Sequence, residues 1–255
     1  MPDKTQDNSP FPKPAVVVTG ASRGIGHAIV KEFHNSGWEV FTLARTPFSK
    51  ICPWAEGIVQ HVEVDLSDQG SIDESVAVIQ NKLSNRGLHA LVNNAGISPK
   101  TDDETRLSAI NTSVELFKRV QMINLIAPLI LANKLLEPLK LAQGAIVNVT
   151  SIAGSQIHPF AGAAYAISKA GLSALTRELA FELADSNVRV NAVSPGEIET
   201  SIISPGTDKI VERQVPMKRL GSPEEVAEVV SFLCSVKSSY VNGAEIPING
   251  GQHLL

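Results

Sequence analysis

The hydrophobic pattern of the chain alternates between two kinds of segment from residue 15 onward. Short runs rich in β-branched and aliphatic residues are typical of strands buried on both faces of a sheet. Longer segments between them carry apolar residues at helical spacing. The predicted strands are Ala15–Thr19, Glu39–Ala44, Val59–Val64, Ala90–Val92, Ala145–Thr150, Val188–Val193 and Ala244–Ile248, and the predicted helices are Ile25–Ser36, Ile72–Leu83, Glu115–Leu139, Tyr165–Leu183 and Pro223–Cys234. This alternation predicts the α/β class, with a doubly wound parallel sheet of about seven strands and helices on both faces.

The same pattern divides the chain into a short tail and one domain. Residues 1–14 are polar and contain four prolines, so we expect a disordered or loosely packed tail. Residues 15–255 show no shift in composition and are expected to form a single catalytic domain. Residues 201–219 lack a clear period and contain Pro205, Gly206 and Pro216, which predicts a substrate loop or a short helical lid.

Charge and composition exclude several classes of function. The chain has 255 residues, of which 43% are hydrophobic and 19% charged, and its formal net charge is −4. A nucleic-acid-binding domain needs a surplus of Lys and Arg, so we expect no nucleic-acid partner. The longest apolar stretches are too short to span a bilayer, and Met122–Ala132, for example, is interrupted by Asn124 and Pro128.

The cysteines and the N-terminus complete this picture. Cys52 and Cys234 are too few for a disulfide framework, and neither lies at metal-ligand spacing from another Cys or His, so we expect no metal site. The N-terminal residues lack the apolar middle of a signal peptide. We therefore expect a cytoplasmic protein that does not bind a membrane.

A glycine-rich turn follows the first predicted strand directly. Residues 19–26 read Thr-Gly-Ala-Ser-Arg-Gly-Ile-Gly, and a predicted helix comes next. Backbone N–H groups at such a turn and the positive end of the helix bind a dinucleotide pyrophosphate, and glycine lets the backbone approach it. The alternative is an ordinary tight turn between a strand and a helix, but the position after the first strand favours a dinucleotide site.

The order Gly-x-x-x-Gly-x-Gly at Gly20, Gly24 and Gly26, with Asn93-Asn94-Ala95-Gly96 after the fourth strand, resembles the classical short-chain dehydrogenase/reductase family. The resemblance extends from about Ala15 to Gly251, and its pattern is most similar to 3-oxoacyl-[acyl-carrier-protein] reductases. It implies a Rossmann-type fold, a nicotinamide cofactor and a catalytic set of Asn, Ser, Tyr and Lys. These positions are filled here by Asn124, Ser151, Tyr165 and Lys169.

The chemistry of a carbonyl reduction suits these residue types. Tyr165 and Lys169 are four residues apart and share a helix face, and a nearby cation favours the anionic form of a phenol. Tyr165 is therefore predicted to act as the general acid/base. Ser151 lies at the carboxyl end of the fifth predicted strand, where its hydroxyl can bond the substrate oxygen. The resemblance implies that Asn124 holds a water in a proton relay through Lys169.

Each of these residues also has a purely structural interpretation. Asn124 interrupts an apolar helix and can bond the backbone, Ser151 can cap a turn, and Tyr165 can pack as an aromatic residue. The ordered conjunction of all four positions favours the catalytic interpretation.

The end of the second predicted strand indicates which nicotinamide cofactor binds. Enzymes specific for NAD place an acid there to bond the ribose 2′-hydroxyl, but this chain has Ala44 followed by Arg45. Arg23 in the glycine turn supplies a second guanidinium, and two guanidiniums suit a 2′-phosphate. We therefore expect NADP(H) to be preferred over NAD(H). The alternative is that Arg45 is a solvated surface charge.

The resemblance adds Asp65 as an adenine contact, and Ile198 and Thr200 near the nicotinamide. The full predicted cofactor set is Gly20, Ser22, Arg23, Gly24, Ile25, Gly26, Arg45, Asp65, Asn93, Ala95, Gly96, Tyr165, Lys169, Pro195, Gly196, Ile198 and Thr200.

The substrate-facing candidates lie in the loops after Ser151 and Pro195. They are Gln156, Ile157, His158, Phe160, Glu197, Ile202 and Ile203. This mostly apolar lining suits a small or medium carbonyl compound or secondary alcohol. His158 is expected to be a packed or solvated residue rather than a proton donor.

Two other functions stay open from the sequence. One is reduction of 3-oxoacyl groups on an acyl carrier protein, although few basic residues apart from Lys140 and Arg189 flank the segments where an acidic carrier would bind. The other is a non-catalytic NADP-binding sensor, which has no need of the complete set at Asn124, Ser151, Tyr165 and Lys169.

The resemblance also implies a homodimer or homotetramer. In the family, the helices equivalent to Glu115–Leu139 and Tyr165–Leu183 commonly pair with those of a partner subunit. Both segments carry an excess of apolar residues, including Leu129, Leu135, Leu172 and Leu179. Burial inside the monomer is the alternative.

Overall fold

The computed structural model describes residues 13–46, 55, 57, 59–103, 105–200 and 206–255. Most of the predicted tail, together with Cys52, Ile202 and Ile203, lies outside the described residues. Pro14, which was assigned to the tail, accepts a hydrogen bond from Glu39 N at 2.9 Å and so belongs to the start of the domain.

Seven strands form one parallel sheet. They are β1 (Ala15–Thr19), β2 (Glu39–Ala44), β3 (Gln60–Glu63), β4 (Ala90–Asn93), β5 (Ala145–Val149), β6 (Arg189–Pro195) and β7 (Glu245–Ile248). Their order is β3-β2-β1-β4-β5-β6-β7, and every neighbouring pair is parallel. The order reverses between β1 and β4, and ligands of open α/β sheets bind at the carboxyl ends of the strands at such a point. The predicted doubly wound architecture is confirmed.

Helices cover both faces of the sheet. They are α1 (Gly24–Asn35), α2 (Gln69–Leu83), α3 (Val114–Gln121), α4 (Ala127–Lys134), α5 (Leu136–Ala142), α6 (Ala163–Glu182), α7 (Thr207–Gln214) and α8 (Pro223–Cys234). One core lies between the sheet and α1 and α8, and the other lies between the sheet and α2, α4, α5 and α6. Successive residues of β1 alternate between the two cores, since Val16 and Val18 join the first and Ala15 and Val17 the second.

The single helix predicted over Glu115–Leu139 is wrong, because the structure divides that segment. A π-helical turn at Met122–Ile126 separates α3 from α4, and the axis bends by 61° where α5 begins. Pro128 explains the first break. It has no N–H to donate to the carbonyl of Asn124, and its ring would clash there in a regular α-helix. A wider π turn relieves both conflicts and re-aims the side chains that precede it.

Capping residues mark the start of α8. Ser222, Pro223 and Glu225 begin α8 with a reciprocal capping box, as the sequence predicts. In the predicted lid segment, α7 occupies residues 207–214, and residues 201–205 lie outside the described part of the chain.

Among the described residues, no single helix is long and apolar enough to cross a membrane, although the bent pair Val114–Lys134 and Leu136–Ala142 is so by length and composition when taken together.

Candidate active site

A cavity of about 1110 Å³ opens at the carboxyl ends of the central strands. Its walls come from the glycine turn after β1 and from the segments that follow β2, β4, β5 and β6. Most of the predicted site residues line it: Gly20, Ser22, Arg23, Gly24, Ile25, Gly26, Arg45, Asp65, Ala95, Gly96, Ser151, Tyr165, Lys169, Pro195, Gly196, Ile198 and Thr200. The volume exceeds that of a usual small-ligand pocket and gives room for a dinucleotide with a substrate.

The glycine turn is packed too closely for side chains. Gly20 and Gly24 have φ of +65° and +53°, and a Cβ atom on Gly26 would lie 2.2 Å from the Gly20 carbonyl oxygen. Arg23 is the N-cap of α1 but makes no side-chain hydrogen bond to its first turn. The first N–H groups of α1 therefore stay available, and they suit an anion such as a pyrophosphate.

Asn94 holds this turn in place. Its Nδ2 donates to the carbonyl oxygens of Thr19 and Gly20 at 3.1 and 3.0 Å. In return, the Thr19 hydroxyl accepts from the backbone N–H groups of Asn94 and Ala95, both at 3.0 Å. Asn94 also lines the cavity and was missing from the predicted set, although it belongs to the motif Asn93-Asn94-Ala95-Gly96.

Asn93, which was included in the predicted cofactor set, is not brought to the cavity. Its Nδ2 donates to Asn148 Oδ1 at 2.9 Å, and Asn148 donates in turn to the hydroxyl of Thr176 on α6. These buried hydrogen bonds connect the centre of the sheet to the covering helix α6.

Three arginines contribute to the cavity wall. Arg23 and Arg45 lie there, and Arg119 from α3 is a further guanidinium that was not among the predicted residues. Asp65 accepts hydrogen bonds from the N–H and hydroxyl of Ser67, at 2.9 and 2.7 Å, which are the main reasons that its pKa is lowered. The charges of Arg45 and Arg119 lower the pKa of Asp65 further. No spacing rule pointed to Arg119, because only the fold brings α3 beside the segments after β2 and β3.

Tyr165, Lys169 and Ser151 converge at another part of the cavity. Lys169 Nζ lies 5.6 Å from the centroid of the Tyr165 ring and donates to the Val149 carbonyl oxygen at 2.7 Å. Burial lowers the pKa of Lys169 to about 8. Ser151 Oγ accepts from Ala153 N at 3.2 Å, so this serine also caps a turn.

The pKa of Tyr165 moves in the opposite direction from the expected one. Burial raises it, and a hydrogen bond with the Ser151 hydroxyl opposes that rise only in part. Desolvation disfavours the phenolate here more strongly than its polar surroundings favour it.

Asn124 is fully buried in the π turn and does not reach the cavity. Its Oδ1 accepts from Ile97 N at 2.9 Å, and its Nδ2 donates to the Ile97 carbonyl oxygen and to the Ser168 hydroxyl, both at 3.0 Å. The Ser168 hydroxyl donates in turn to the Tyr165 carbonyl oxygen at 2.7 Å. Asn124 thus joins the segment after β4 to the helix that carries Tyr165 and Lys169.

Of the residues predicted to face the substrate, some line the cavity and others do not. His158, Phe160 and Glu197 line the cavity, whereas Gln156 and Ile157 do not. Ile157 is almost fully exposed. Lys100 and Thr207 also contribute to the wall and were not predicted.

Within the part of the chain that the structure describes, no group of three or more His, Cys, Asp or Glu side chains is arranged to hold a metal ion.

Known proteins resemble this chain over nearly its whole length. The family model described as "Enoyl-(Acyl carrier protein) reductase" matches residues 20–253. Protein FixR of Bradyrhizobium diazoefficiens is 51% identical over 94% of this chain and 86% of its own length. The 3-oxoacyl-[acyl-carrier-protein] reductase FabG of Aquifex aeolicus is 38% identical over 92% of this chain and 95% of its own.

The fold matches solved structures equally well. An oxidoreductase of the short chain dehydrogenase/reductase family from Brucella ovis, in complex with a partially ordered NAD, superposes with a TM-score of 0.81. It is 48% identical in sequence, and the match covers 93% of this chain and 100% of that one.

Proposed function

The chain belongs to the short-chain dehydrogenase/reductase family and is an NAD(P)-dependent oxidoreductase, and on that premise we propose the reaction that its cavity supports. The protein transfers a hydride between NADP(H) and a small or medium carbonyl compound or secondary alcohol, with Tyr165 as the general acid/base. The observation that carries this proposal is that Tyr165, Ser151 and Lys169 share one cavity with the glycine turn at the start of α1.

The side chains of this cavity suit reduction of a carbonyl. When bound, the cofactor supplies the hydride. The raised pKa of Tyr165 keeps its phenol protonated at neutral pH, which is the state that donates a proton to the carbonyl oxygen. The Ser151 hydroxyl, which bonds the same phenol, can donate to the substrate oxygen as negative charge develops there. The nearby Lys169 ammonium stabilises the phenolate that remains after proton transfer.

The test is NADPH oxidation against a panel of ketones, keto-sugars, steroids and 3-oxoacyl thioesters. Tyr165→Phe removes the proton donor and keeps the ring, so we expect NADPH binding to persist while kcat falls by roughly 100-fold or more. Tyr240→Phe is the matched control, because Tyr240 is fully exposed and lies outside the cavity.

Two results would contradict this assignment. A fully active Tyr165→Phe variant would remove Tyr165 from the mechanism. A wild-type protein that binds NADPH but reduces no member of the panel would favour the non-catalytic sensor.

The preference for NADP(H) is supported by the charges at the adenosine end of the cavity. Ala44 ends β2, and Arg23 and Arg45 line the cavity nearby, so no carboxylate at the β2 end repels a 2′-phosphate. The Brucella ovis relative, in contrast, was crystallised with NAD.

The cofactor preference is tested with Arg45→Asp. We expect the KM for NADPH to rise by roughly 10- to 100-fold, the loss that follows removal of a charged hydrogen bond, while NADH is used as well as before or better. Lys31→Asp makes the same charge change on the exposed face of α1 and serves as the control. Equal use of NADH and NADPH by the wild-type protein would refute the preference.

Reduction of 3-oxoacyl groups on a carrier protein is a second candidate, favoured by the similarity to the Aquifex aeolicus reductase. Comparing a 3-oxoacyl group on the acidic carrier protein with the same group on a small thiol separates the two substrates. A kcat/KM that rises with the carrier protein supports this candidate.

We also propose that the protein forms a homodimer or homotetramer through α4 and α6. Leu135, Leu172 and Leu179 are buried within the monomer, as the alternative interpretation held. Other apolar side chains of these helices and of the π turn remain exposed, and they are Ile126, Leu129, Ile167 and Phe181. A partner helix would remove them from water.

A further inference from the structure

Glu197 places a carboxylate in the wall of the cavity. Only 11% of its side chain is exposed. Its backbone is fixed from both sides, since Gly221 N donates to the Glu197 carbonyl oxygen at 2.9 Å and Gly196 N donates to the Ile248 carbonyl oxygen at 3.0 Å. The side chain therefore projects from a rigid segment.

The ring of His158 lies against this carboxylate in a defined tautomer. His158 Nδ1 accepts a hydrogen bond from Phe160 N at 3.2 Å, so Nδ1 carries no hydrogen. The hydrogen is then on Nε2, which donates to Glu197 Oε1 at 2.6 Å. A protonated ring would place a second N–H against the N–H of Phe160. In this tautomer the ring is a neutral hydrogen-bond donor to Glu197 and supplies no counter-charge.

The other partner of the carboxylate is also neutral. Gln252 Nε2, from the C-terminal segment, lies 3.5 Å from the same Oε1 atom. Among the described residues, no Lys or Arg nitrogen lies within 4.0 Å of the Glu197 carboxylate.

A largely buried carboxylate with only neutral donors lacks a counter-charge. Burying a charge is costly unless it is paired, and neutral hydrogen bonds offset only part of that cost. Phe160 adds an aromatic ring to the same wall, with its centroid 6.1 Å from that of His158. An aromatic face attracts ammonium groups and so does a carboxylate, so a cavity wall that contains both favours a cationic ligand.

We propose that Glu197 is a specificity-determining residue and that the substrate carries a cationic amine besides its carbonyl or hydroxyl group. The substrate class is then an amino ketone or amino alcohol. The amine pairs with Glu197, and the carbonyl lies at Tyr165 and Ser151. This inference rests on the proposed function, since it names the substrate class of the same cavity.

The test uses three series of methyl ketones that differ only in their terminal group: trimethylammonium, tert-butyl or carboxylate. Trimethylammonium and tert-butyl have the same shape, so their comparison isolates the positive charge. We expect the wild-type kcat/KM to be highest for the trimethylammonium ketones. Glu197→Gln should lower the ratio of the trimethylammonium value to the tert-butyl value by roughly 10- to 100-fold.

Glu199→Gln is the matched control, because Glu199 is an exposed carboxylate two residues away that does not line the cavity. It should leave all three series unchanged. Thermal unfolding of each variant checks that the fold is retained.

The outcomes separate this inference from the proposed function. If no ketone is reduced, the proposed function fails, and calorimetric binding of butyltrimethylammonium to the NADPH-loaded wild type and Glu197→Gln still tests the cation site. If ketones are reduced but the charged and neutral series are equivalent, or Glu197→Gln leaves their ratio unchanged, the cation site is refuted and the reaction stands. A preference for the carboxylate series also refutes it.

Discussion

Lys169 and Tyr165 show how burial and charge compete at single side chains. Burial lowers the pKa of the lysine to about 8 and raises that of the tyrosine, so both groups are pushed toward their neutral forms. Each ion is nevertheless needed when the phenol gives up its proton. The short distance between them, 5.6 Å from Nζ to the ring centroid, lets the ammonium offset the cost of the phenolate.

This competition predicts a pH dependence for ketone reduction. As the pH rises through about 8, Lys169 loses its proton and the phenolate loses its counter-charge, so kcat/KM should fall. Lys169→Arg keeps the charge to higher pH, and any activity that it retains should fall at a higher pH than in the wild type. Initial rates measured from about pH 6 to 10 check this, and a flat wild-type profile would contradict it.

The same shift affects stability with a defined sign. The pKa of Lys169 is lower in the folded protein than the ordinary lysine value of 10.5, so burial of its charged form costs stability fully below about pH 8. This cost disappears as the pH rises toward the unfolded value.

A motif indicates which backbone positions reach the cavity, whereas the direction of a side chain depends on the fold. Gly20, Gly24 and Gly26 line the cavity. Asn93 does not, because it is two residues from Leu91 on β4 and shares its face toward α6. The alternation of side chains along β4 therefore indicates the direction of Asn93 from the sequence. Nothing in the sequence indicated Arg119 or the neutral donors around Glu197, which depend on contacts between distant segments.

At the scale of elements, local chemistry decided which boundaries were predictable. The start of α8 was predicted because Ser222, Pro223 and Glu225 carry the signal within four residues. The π turn was not, because apolar periodicity averages over a helix and does not detect one wide turn. Pro128 within the segment was the local clue, and the contact between Asn124 and Ile97 is a tertiary one.

The π turn matters for the site because of the residue it carries. Asn124 bonds Ile97 on one side and Ser168 on the other, so a regular helix through this segment would rotate its amide away from at least one partner. Asn124 bonds the backbone of Ile97, as its purely structural interpretation holds. Its predicted role in holding a water stays a prediction.

At the scale of the whole molecule, the sequence pattern predicted the sheet and its two helical layers because alternating buried strands and helices allow few other arrangements. The assembly was less predictable, since three of the four leucines offered as interface residues belong to the monomer core. Helical periodicity does not distinguish a face buried within the monomer from one buried against a partner.

The exposed face on α4 and α6 predicts the assembly state. Light scattering should give at least twice the monomer mass, and the double substitution of Leu129 and Ile167 by Glu should give folded monomers, because it places charges in a buried apolar contact. Val78→Glu on α2 is the control, with 41% exposure against 44% for Leu129. A monomeric wild-type protein would refute the interface.

The pairing of β1 with β4 has a consequence for how the chain folds during synthesis. Val16 pairs with Ala90, so β1 reaches the ribosome exit long before its inner neighbour β4 is made. The glycine turn gains its bonds from Asn94 and Ala95 only when β4 has joined β1. A nascent chain that stops short of Ala95 therefore has no completed nucleotide site, and nucleotide binding to stalled chains of increasing length would report the moment at which the two strands meet.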